Sequence, residues 1–555
     1  MVKIFCENTG QTHLVEQGLQ VLELAKAIQY KSDYPIVGAL VNNRVKGVDY
    51  RTYTAKNITF LDVTHNEGYR LYTASLQFLL CKAAYDVLPE AVLKIEHSLF
   101  HGLYVEVTGL NRPLQKTDVE NIKRSMRELV AQNVPFVREK VPSEEAIGIY
   151  ESKGYKERAD LIRERKKLYH TVYYLSNTAD TFYTPLVAST GALDVFDLTL
   201  FDETGMVLVL PDPNHPRELK KEEKPQKKLF KIFREHQEWV NVLEVPYISR
   251  LNEIYEDEQQ TNTLIHVSEA LHEKKYATIA EMIHHHDNKV KAVLIAGPSS
   301  SGKTTSCRRI STQLQVMGYM PIQLSLDNYF LNREDTPRDE NGEYDFETID
   351  AVDISFFNEQ LQQLVEGKTV EIPRFDFFTG RRVFDGELVS MKPNSILIIE
   401  GIHGLNPELI YSMDTRQTFK VFVSALTQVS IDRHNRISST DNRLIRRMVR
   451  DYNFRGYSAL ETLQRWPSVN DGERKHIFPY QEEADVIFNS ALLYELGVLK
   501  RYAEPLLLGV PECVPEYSEA VRLLEFLSYV KPIGDKIIPP TSIMREFLGG
   551  SSFDY

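Results

Sequence analysis

Residues 292–310 read AVLIAGPSSSGKTTSCRRI, in which an apolar run stops at a glycine and continues as a serine-rich loop. The run at 292–296 is short and bounded by turn residues, which predicts a parallel strand buried on both faces. The loop at 297–304 fits the pattern G-x-x-x-x-G-K-[ST] at every defined position and opens into a helical pattern. This stretch therefore predicts an α/β fold with a phosphate-binding loop between a strand and a helix.

The loop offers the groups that bind a nucleotide. Its backbone N–H groups and the positive end of the following helix favour phosphate oxygens. Lys303 adds a charge for the outer phosphates, and the Thr304 hydroxyl is the expected magnesium ligand. The predicted nucleotide contacts are Gly297, Pro298, Ser299, Ser300, Ser301, Gly302, Lys303, Thr304 and Thr305.

Two further predicted strands, at 322–326 and 395–399, lead into the carboxylates Asp327 and Glu400. In an open parallel sheet, ligands bind at the carboxyl ends of the strands, so both acids should lie beside the phosphates. We expect one acid to help hold magnesium and the other to take the proton from an acceptor hydroxyl. The alternative is that both are surface carboxylates at strand ends. A GTPase would need a base-reading NKxD motif, which this sequence lacks.

Four arginines, Arg443, Arg446, Arg447 and Arg450, follow one another at i, i+3, i+4 and i+7 in the stretch DNRLIRRMVRD. This spacing predicts a helix with one arginine face. Because arginines without an interleaved acid repel one another, the pattern favours an anion-binding face over a merely solvated one. Arginine charge over a transferring phosphate stabilises the transition state, and a movable helix can close over it as a lid.

The composition is that of an ordinary globular protein. A chain of 555 residues should divide into about three or four domains. No segment approaches the ~20 apolar residues that span a bilayer, and the N-terminus lacks the apolar core of a signal peptide. Four cysteines without CxxC spacing indicate a reducing, cytoplasmic setting. The net charge of −13 argues against wholesale binding of a nucleic acid backbone.

Residues 290–499 resemble the uridine kinase and phosphoribulokinase branch of P-loop kinases. The motifs that carry the resemblance occur in family order as GPSSSGKTT, SLDNYF, YDFETIDAVD, PRFDFFTGRR, IIEGIHGL, RLIRRMVRDYNFRG and FPYQEEADVIFNSA. The resemblance implies a kinase domain at 289–555, with a parallel sheet, helices on both of its faces and a C-terminal extension. It also implies that ATP and Mg²⁺ are used to phosphorylate a hydroxyl of a nucleoside or related sugar-bearing metabolite.

The resemblance assigns roles to individual residues. Asp327 falls on the catalytic base and Glu400 on the magnesium-associated glutamate, so that Thr304, Asp327 and Glu400 form the implied metal site. The implied catalytic residues are Lys303, Asp327, Arg443, Arg446 and Arg450. The implied substrate-binding residues are Tyr329, Phe330, Glu347, Phe375, Phe377 and Arg382. Gly380 stands where uridine kinases carry a histidine that reads the pyrimidine, which leaves the base of the acceptor open.

The N-terminal half resembles the region that precedes the catalytic core of threonyl-tRNA synthetases. Residues 1–63 are similar to the β-grasp-like TGS domain, and 64–228 to the α+β editing domain; a helical connector at 229–288 follows. The second match rests on GLYVEV, KTDVENIKRSMRELV, SEEAIGIYESKGY and PLVASTGALDVFDL. The positions of the synthetases' zinc ligands hold Thr73, Gln77, Phe182 and Leu186. Because phenylalanine and leucine cannot ligate zinc, the resemblance implies a retained fold without the hydrolytic site.

Three functions follow from these patterns. The leading hypothesis is a nucleoside-type kinase with a small-molecule acceptor. The first alternative is an ATP-regulated protein that uses the synthetase-like half to bind tRNA or other RNA, or that has a regulatory role. The second is a zinc-dependent aminoacyl-tRNA hydrolase. No membrane partner is expected. The sequence leaves open the acceptor, the preferred triphosphate, the role of the N-terminal half and whether the chain forms a homo-oligomer.

Overall fold

The computed structural model describes residues 1–99, 101–221, 226–338, 342, 344–376 and 379–554. The chain has a mixed α/β fold, which confirms the predicted class, and it contains the predicted parallel sheet. Among the described residues, every helix falls short of the length or the apolarity needed to cross a membrane. The TGS and editing-type identities of the N-terminal half stay predictions.

The first part of the chain is a five-stranded mixed sheet with one helix against it. Its elements are β1 (Val2–Cys6), β2 (Gln11–Val15), β3 (Leu19–Gln20), α1 (Val21–Ala27), β4 (Gly38–Val41), β5 (Arg44–Lys46), β6 (Arg51–Thr52) and β7 (Lys56–Leu61). The strand order is β2-β1-β7-β4-β5, with β1 and β7 parallel and the other pairs antiparallel, while β3 pairs with β6. Val21, Leu24 and Ala25 give α1 a buried face that packs on the sheet.

The second part combines four helices with two antiparallel sheets of order β13-β14-β9-β8 and β10-β11-β12. Its elements are α2 (Asn66–Val87), β8 (Val92–Leu99), β9 (Gly102–Thr108), α3 (Lys116–Gln132), β10 (Phe136–Pro142), α4 (Ser143–Ser152), α5 (Lys156–Arg165), β11 (Tyr169–Leu175), β12 (Thr178–Asp180), β13 (Asp197–Asp202) and β14 (Gly205–Val209). Two of the four positions that the synthetase resemblance predicts to correspond to zinc ligands lie in apolar packing. Phe182 and Leu186 are buried, and the Phe182 ring lies 5.4 Å from the Phe78 ring on α2, the helix that also carries Thr73 and Gln77.

Three helices lead to the phosphate loop: α6 (Lys227–Val242), α7 (Ile248–Ile254) and α8 (Glu258–His284). The remaining elements are β15 (Ala292–Ala296), α9 (Lys303–Val316), β16 (Met320–Ser325), α10 (Ile354–Val365), β17 (Val370–Asp376), β18 (Arg381–Val389), β19 (Ser395–Glu400), β20 (Thr418–Ser424), α11 (Ser439–Arg455), α12 (Ala459–His476), β21 (Val486–Asn489), α13 (Glu495–Leu508), α14 (Tyr517–Leu527) and α15 (Arg545–Leu548).

The parallel sheet has the order β16-β19-β15-β20-β21, and β17 and β18 form a separate antiparallel pair. All five residues of β15 are buried, because helices cover a parallel sheet on both faces. Since the strands are parallel, the carboxyl ends of β15, β16 and β19 lie at one edge. The phosphate loop follows β15 at that edge, where chain connections leave the sheet in opposite directions and a ligand crevice is expected.

A buried ion network joins the second part of the chain to the loop between β20 and α11. Arg158 on α5 pairs with Asp180 and, at 3.0 Å, with Asp432, and the Nδ1 atom of His434 lies 2.7 Å from Asp180. Cys81 lies beside Asp180 and His434, and in the described parts of the chain this trio is the one group that could supply three metal ligands. Burial raises the pKa of the Cys81 thiol, and the other two side chains already bond to each other. The cluster is therefore an internal electrostatic contact.

Candidate active site

The phosphate loop is shaped by two glycines that have no room for a side chain. Gly302, the N-cap of α9, has a φ of +85°, and a Cβ there would lie 2.2 Å from Ile543 Cδ1. A Cβ on Gly297 would lie 2.0 Å from the carbonyl oxygen of Val423 on β20. The Lys303 ammonium donates to the Pro298 carbonyl at 3.1 Å, which closes the loop on itself. Because the first turn of a helix has N–H groups without intrahelical partners, α9 presents donors at this edge.

One buried ion pair supports the first half of the loop. Glu473 on α12 accepts the Ser299 N–H at 2.8 Å. Arg443 donates to both oxygens of Glu473 at 2.5 and 2.8 Å, and to the Ser299 carbonyl at 3.1 Å. The Glu473 carboxylate is thus neutralised by a bidentate partner, so it can remain buried against the loop.

The predicted arginine face is on α11, and acidic side chains of α11 and of two other helices pair with it. Arg446 is completely buried, pairs with Glu495, and donates to the Ser490 carbonyl at 2.8 Å. Arg447 and Arg450 both pair with Asp451, at 3.2 and 2.8 Å. Helices α12 and α13 supply acids that no spacing within α11 could show. Arg443 and Arg446, predicted to act as lid arginines, are held in these buried pairs.

Two arginines near the end of α11 lie within electrostatic range of the site: Arg450 acts on Lys303, and Arg455 is affected by Asp327. Arg450 is near enough to Lys303 to help lower the pKa of that ammonium, which burial lowers most. Arg450 also lowers the pKa of Arg455 to about 10, together with burial. Mutual repulsion of this kind marks a cluster of positive charge that an anion would relieve. Arg455 was missed by the sequence analysis, although it stands in the same helix as the arginines that were identified.

Asp327 and Glu400 come together at the carboxyl edge of the sheet. Glu400 ends β19, where Ser325 of β16 is its register partner and donates to it at 3.0 Å. Asp327 lies in the 3-10 turn Leu326–Tyr329 that follows β16. Burial raises the pKa of Glu400 to about 7, the Asp327 charge adds to the rise, and Lys303 opposes it. The ammonium and the two carboxylates therefore share one electrostatic site.

Glu347, a predicted substrate ligand, lies against α12 beside this site. A Cβ on Gly472 of α12 would lie 2.3 Å from the Cβ of Glu347, so the glycine makes room for the acid. Burial, with a smaller contribution from the Glu473 charge, raises the pKa of Glu347 to about 7. Lys303 and Asp327 also act on this pKa, in opposite directions, which places Glu347 within their electrostatic range.

The other predicted substrate residues support the turn that carries Asp327. Tyr329 is completely buried and donates its hydroxyl to Gln360 at 2.9 Å. Arg382 donates to the carbonyl oxygens of Tyr329 and Phe330, both at 3.1 Å, and pairs with Asp353. The Phe330 ring lies 5.7 Å from the ring of Phe375. Phe377 lies outside the described residues.

Gly380 lies where any side chain would collide with Arg333. Its φ is +71°, and a Cβ would lie 2.7 Å from the Arg333 Nε atom. Arg333 also donates its backbone N–H to the Gly380 carbonyl at 2.8 Å. A guanidinium thus replaces the side chain that Gly380 lacks, a contact that sequence spacing did not indicate.

The C-terminal extension reaches the phosphate loop, which the sequence analysis did not predict. Glu546 of α15 accepts hydrogen bonds from the Thr305 hydroxyl at 2.6 Å and from the Thr305 N–H at 3.2 Å. Ile543 fills the space beside Gly302. No local pattern joins residues so far apart in the sequence, so this contact had no signal in the motifs.

Comparison with known proteins supports the kinase resemblance for one part of the chain. The model of the "Phosphoribulokinase / Uridine kinase family" matches residues 292–493. A uridine kinase from Ligilactobacillus salivarius is 31% identical over 203 residues, which are 36% of this chain and 85% of that protein. One from Borrelia hermsii is 31% identical over 226 residues, 38% of this chain and 95% of the relative. This chain belongs to the phosphoribulokinase/uridine kinase family.

Within this family, residues 292–493 form a P-loop kinase, a phosphotransferase whose acceptor is an alcohol. Among solved structures, one described as a "Possible Uridine Kinase from Bacillus stearothermophilus" covers 39% of this chain and 98% of its own, at 17% identity and a TM-score of 0.27. The family match ends before the C-terminal extension, so Glu546 lies outside the matched region while its partner Thr305 lies inside it.

Proposed function

We propose that this chain transfers the γ-phosphate of ATP to a hydroxyl of a nucleoside or related sugar-bearing metabolite. The observation that carries the proposal is the shared electrostatic site of Lys303, Asp327 and Glu400 at the carboxyl edge of the sheet. A loop with one lysine binds phosphate, and the two acids supply the further groups that phosphoryl transfer needs.

Each group has a separate role in the proposed reaction. The loop N–H groups and Lys303 bind the phosphates of ATP, and Arg450 faces the charge that builds up on the transferring group. Asp327 accepts the proton of the acceptor hydroxyl as its oxygen bonds to the γ-phosphorus. The bond from that phosphorus to the bridging oxygen breaks, and ADP leaves with the electron pair.

The oxygen donors at this edge suit a magnesium ion. The Thr304 hydroxyl and the carboxylates of Asp327 and Glu400 are ligands of the hard, oxygen type that Mg²⁺ prefers. Burial and the Asp327 charge raise the pKa of Glu400, so a cation beside this carboxylate would stabilise its charged form. When bound, the cation supplies charge neutralisation for the phosphate oxygens.

We expect the enzyme to show no strong preference for uridine over other acceptors. Position 380 has no side chain with which to read a pyrimidine, and Arg333 occupies that space. A site that forms a dedicated hydrogen bond rejects analogues by on the order of 10⁴-fold, and we expect nothing near that factor between uridine and other acceptors.

ADP formation measured across a panel of nucleosides tests the proposal. At least one acceptor should stimulate ADP formation above the rate with ATP alone, and Lys303→Ala should remove the stimulation. A flat response to the whole panel, combined with tight tRNA binding, would favour an ATP-regulated RNA-binding protein instead. Zinc in stoichiometric amount, with deacylation of aminoacyl-tRNA, would favour the hydrolase.

A further inference from the structure

Glu546 directs its carboxylate at the first turn of α9. One of its oxygens accepts both from the Thr305 hydroxyl and from the Thr305 N–H. Thr305 is completely buried, and Glu546 is half-buried. The donors at this end of a phosphate loop are those that hold an anion, because the N–H groups of a first helical turn have no intrahelical acceptor and the helix end is positive. A carboxylate of the chain itself therefore occupies an anion position of the nucleotide site.

The residues around Glu546 hold it in this position by packing. Ile543 and Phe547 are completely buried. Ile543 contacts the loop at Gly302, and the Phe547 ring lies 5.0 Å from the Arg446 guanidinium. Ser542 donates to Glu269 of α8 at 2.5 Å. The carboxylate thus belongs to an ordered segment fixed to both α8 and α11.

Glu546 differs from Glu473, the other acid at the loop, in that its charge is not neutralised by a basic partner among the described residues. Glu473 is neutralised by two hydrogen bonds from Arg443, so its role is to support the loop. Within the described parts of the chain, no basic side chain lies within 4.0 Å of the Glu546 carboxylate. At longer range, the Glu546 charge acts to raise the pKa of Lys303. An acid without an ion-pair partner is easier to exchange for another anion than one with a bidentate partner.

We propose that Glu546 competes with the phosphate donor: its carboxylate holds the Thr305 donors until a phosphate group of the donor displaces it. The proposal rests on the proposed function, because it assigns a means of regulation to the same loop. Two anions cannot share these donors, since like charges at hydrogen-bonding distance repel strongly in a partly buried site. The C-terminal extension therefore raises the concentration of donor at which the loop fills.

Equilibrium titrations of the full chain with ATP, inorganic tripolyphosphate and adenosine test the competition. Glu546→Gln keeps the shape and removes the charge. ATP and tripolyphosphate should each bind about tenfold more tightly, as expected from losing a charge-assisted hydrogen bond of the empty state. Adenosine has no phosphate, so its affinity should not change. Asp554→Asn is the matched control, because Asp554 is exposed in the same C-terminal extension and should bind all three ligands like the wild type.

Two results would overturn the proposal. One is unchanged or weaker binding of ATP and tripolyphosphate by Glu546→Gln; the other is an equal gain for adenosine, which would place the effect on the sugar or the base. Thr305→Val removes the shorter of the two hydrogen bonds. In that background the gain from Glu546→Gln must shrink, because the two substitutions act on one contact.

A measurement on the wild-type chain does not depend on how well the variants fold. Addition of tripolyphosphate should increase amide hydrogen exchange in α15, because displacement of Glu546 releases that helix from α9. Unchanged or slower exchange in α15 with bound tripolyphosphate would contradict the competition. None of these measurements needs an acceptor, so a protein that shows the expected tightening but forms no acceptor-dependent ADP refutes the kinase proposal alone. Acceptor-dependent ADP formation without tighter binding of ATP and tripolyphosphate by Glu546→Gln refutes the competition alone.

Discussion

Glu473 and Arg443 meet in a bidentate ion pair, with N–O distances of 2.5 and 2.8 Å, directly beneath the phosphate loop. Together they bind both backbone groups of Ser299, since Glu473 accepts its N–H and Arg443 donates to its carbonyl. Both side chains are almost completely buried. The conformation of the loop at Ser299 thus depends on two helices that follow much later in the chain.

Glu473→Ala should lower the free energy of unfolding by about 3–5 kcal/mol, because it leaves the buried Arg443 without a counter-ion. Urea unfolding measures the loss. Asp471→Ala is the control on the same helix: Asp471 pairs with Arg474 at 2.9 Å, but both side chains are exposed, and such pairs contribute under about 1 kcal/mol. Equal losses in the two variants would contradict a structural role for the buried pair.

Asp327→Asn should lower acceptor-dependent turnover by about 10²- to 10⁴-fold, because asparagine keeps the shape but cannot accept the proton. ATP affinity should stay close to that of the wild type, since the loop and Lys303 bind the phosphates. Lys303→Ala differs from Asp327→Asn in its effect on binding: it should weaken ATP affinity as well as lower turnover. Retention of more than about a tenth of the wild-type rate by Asp327→Asn would remove this residue from the role of general base.

Glu400 should contribute less to stability as the pH rises towards neutrality. Burial raises the pKa of Glu400 from 4.5 to about 7, so the native state holds this proton more tightly than the unfolded chain does. The contribution of Glu400 to the free energy of unfolding therefore decreases between about pH 4.5 and about pH 7 and levels off above that range. Glu347, with a pKa also raised to about 7, adds to the decrease. Five histidines act in the opposite direction below pH 6.5, their ordinary pKa, because burial lowers the pKa of each: His97, His170, His236, His272 and His403.

Urea unfolding across this pH range compares the wild type with Glu400→Gln. The variant carries no titrating proton at this position, so its free energy of unfolding minus that of the wild type should rise with pH over this range. A profile as steep as that of the wild type would show that Glu400 does not contribute.

Arg158→Met should destabilise the chain by about 3–5 kcal/mol, because Asp180 and Asp432 lose their shared partner in a buried site. Arg163→Met on the same helix is the control. Arg163 pairs with Glu151 and Asp160 at the surface, where we expect a loss under about 1 kcal/mol. Thermal melting measures the loss. A small and similar decrease in melting temperature for both variants would show that the buried network does not stabilise the chain more than the surface pairs do.

Local patterns predicted the part of the site that depends on local chemistry. The strand and the loop at 292–304 follow from burial and from the glycine positions, and the ends of the parallel strands brought Asp327 and Glu400 together. The acids that neutralise α11 were missed because Glu473 and Glu495 approach only through packing of other helices. Asp451 could have been found, since it stands four residues after Arg447.

Contacts between segments that are distant in the sequence could not be predicted from local sequence patterns. Glu546 and Thr305 are 241 residues apart, and neither belongs to a spacing that requires the other. The same holds for Arg333 beside Gly380, where the glycine was identified but the side chain that fills its space was not. Tertiary packing alone decides both contacts.

Gly472 has a consequence for attempts to make this protein more robust. Glycine within a helix is usually an attractive position for an engineer, because alanine gains about 1 kcal/mol of helix propensity. Here the added methyl group would lie 2.3 Å from the Cβ of Glu347 and push that acid out of place beside Lys303. A general stabilising substitution would therefore damage the site, and the apparent defect in the helix is a space kept for a neighbouring carboxylate.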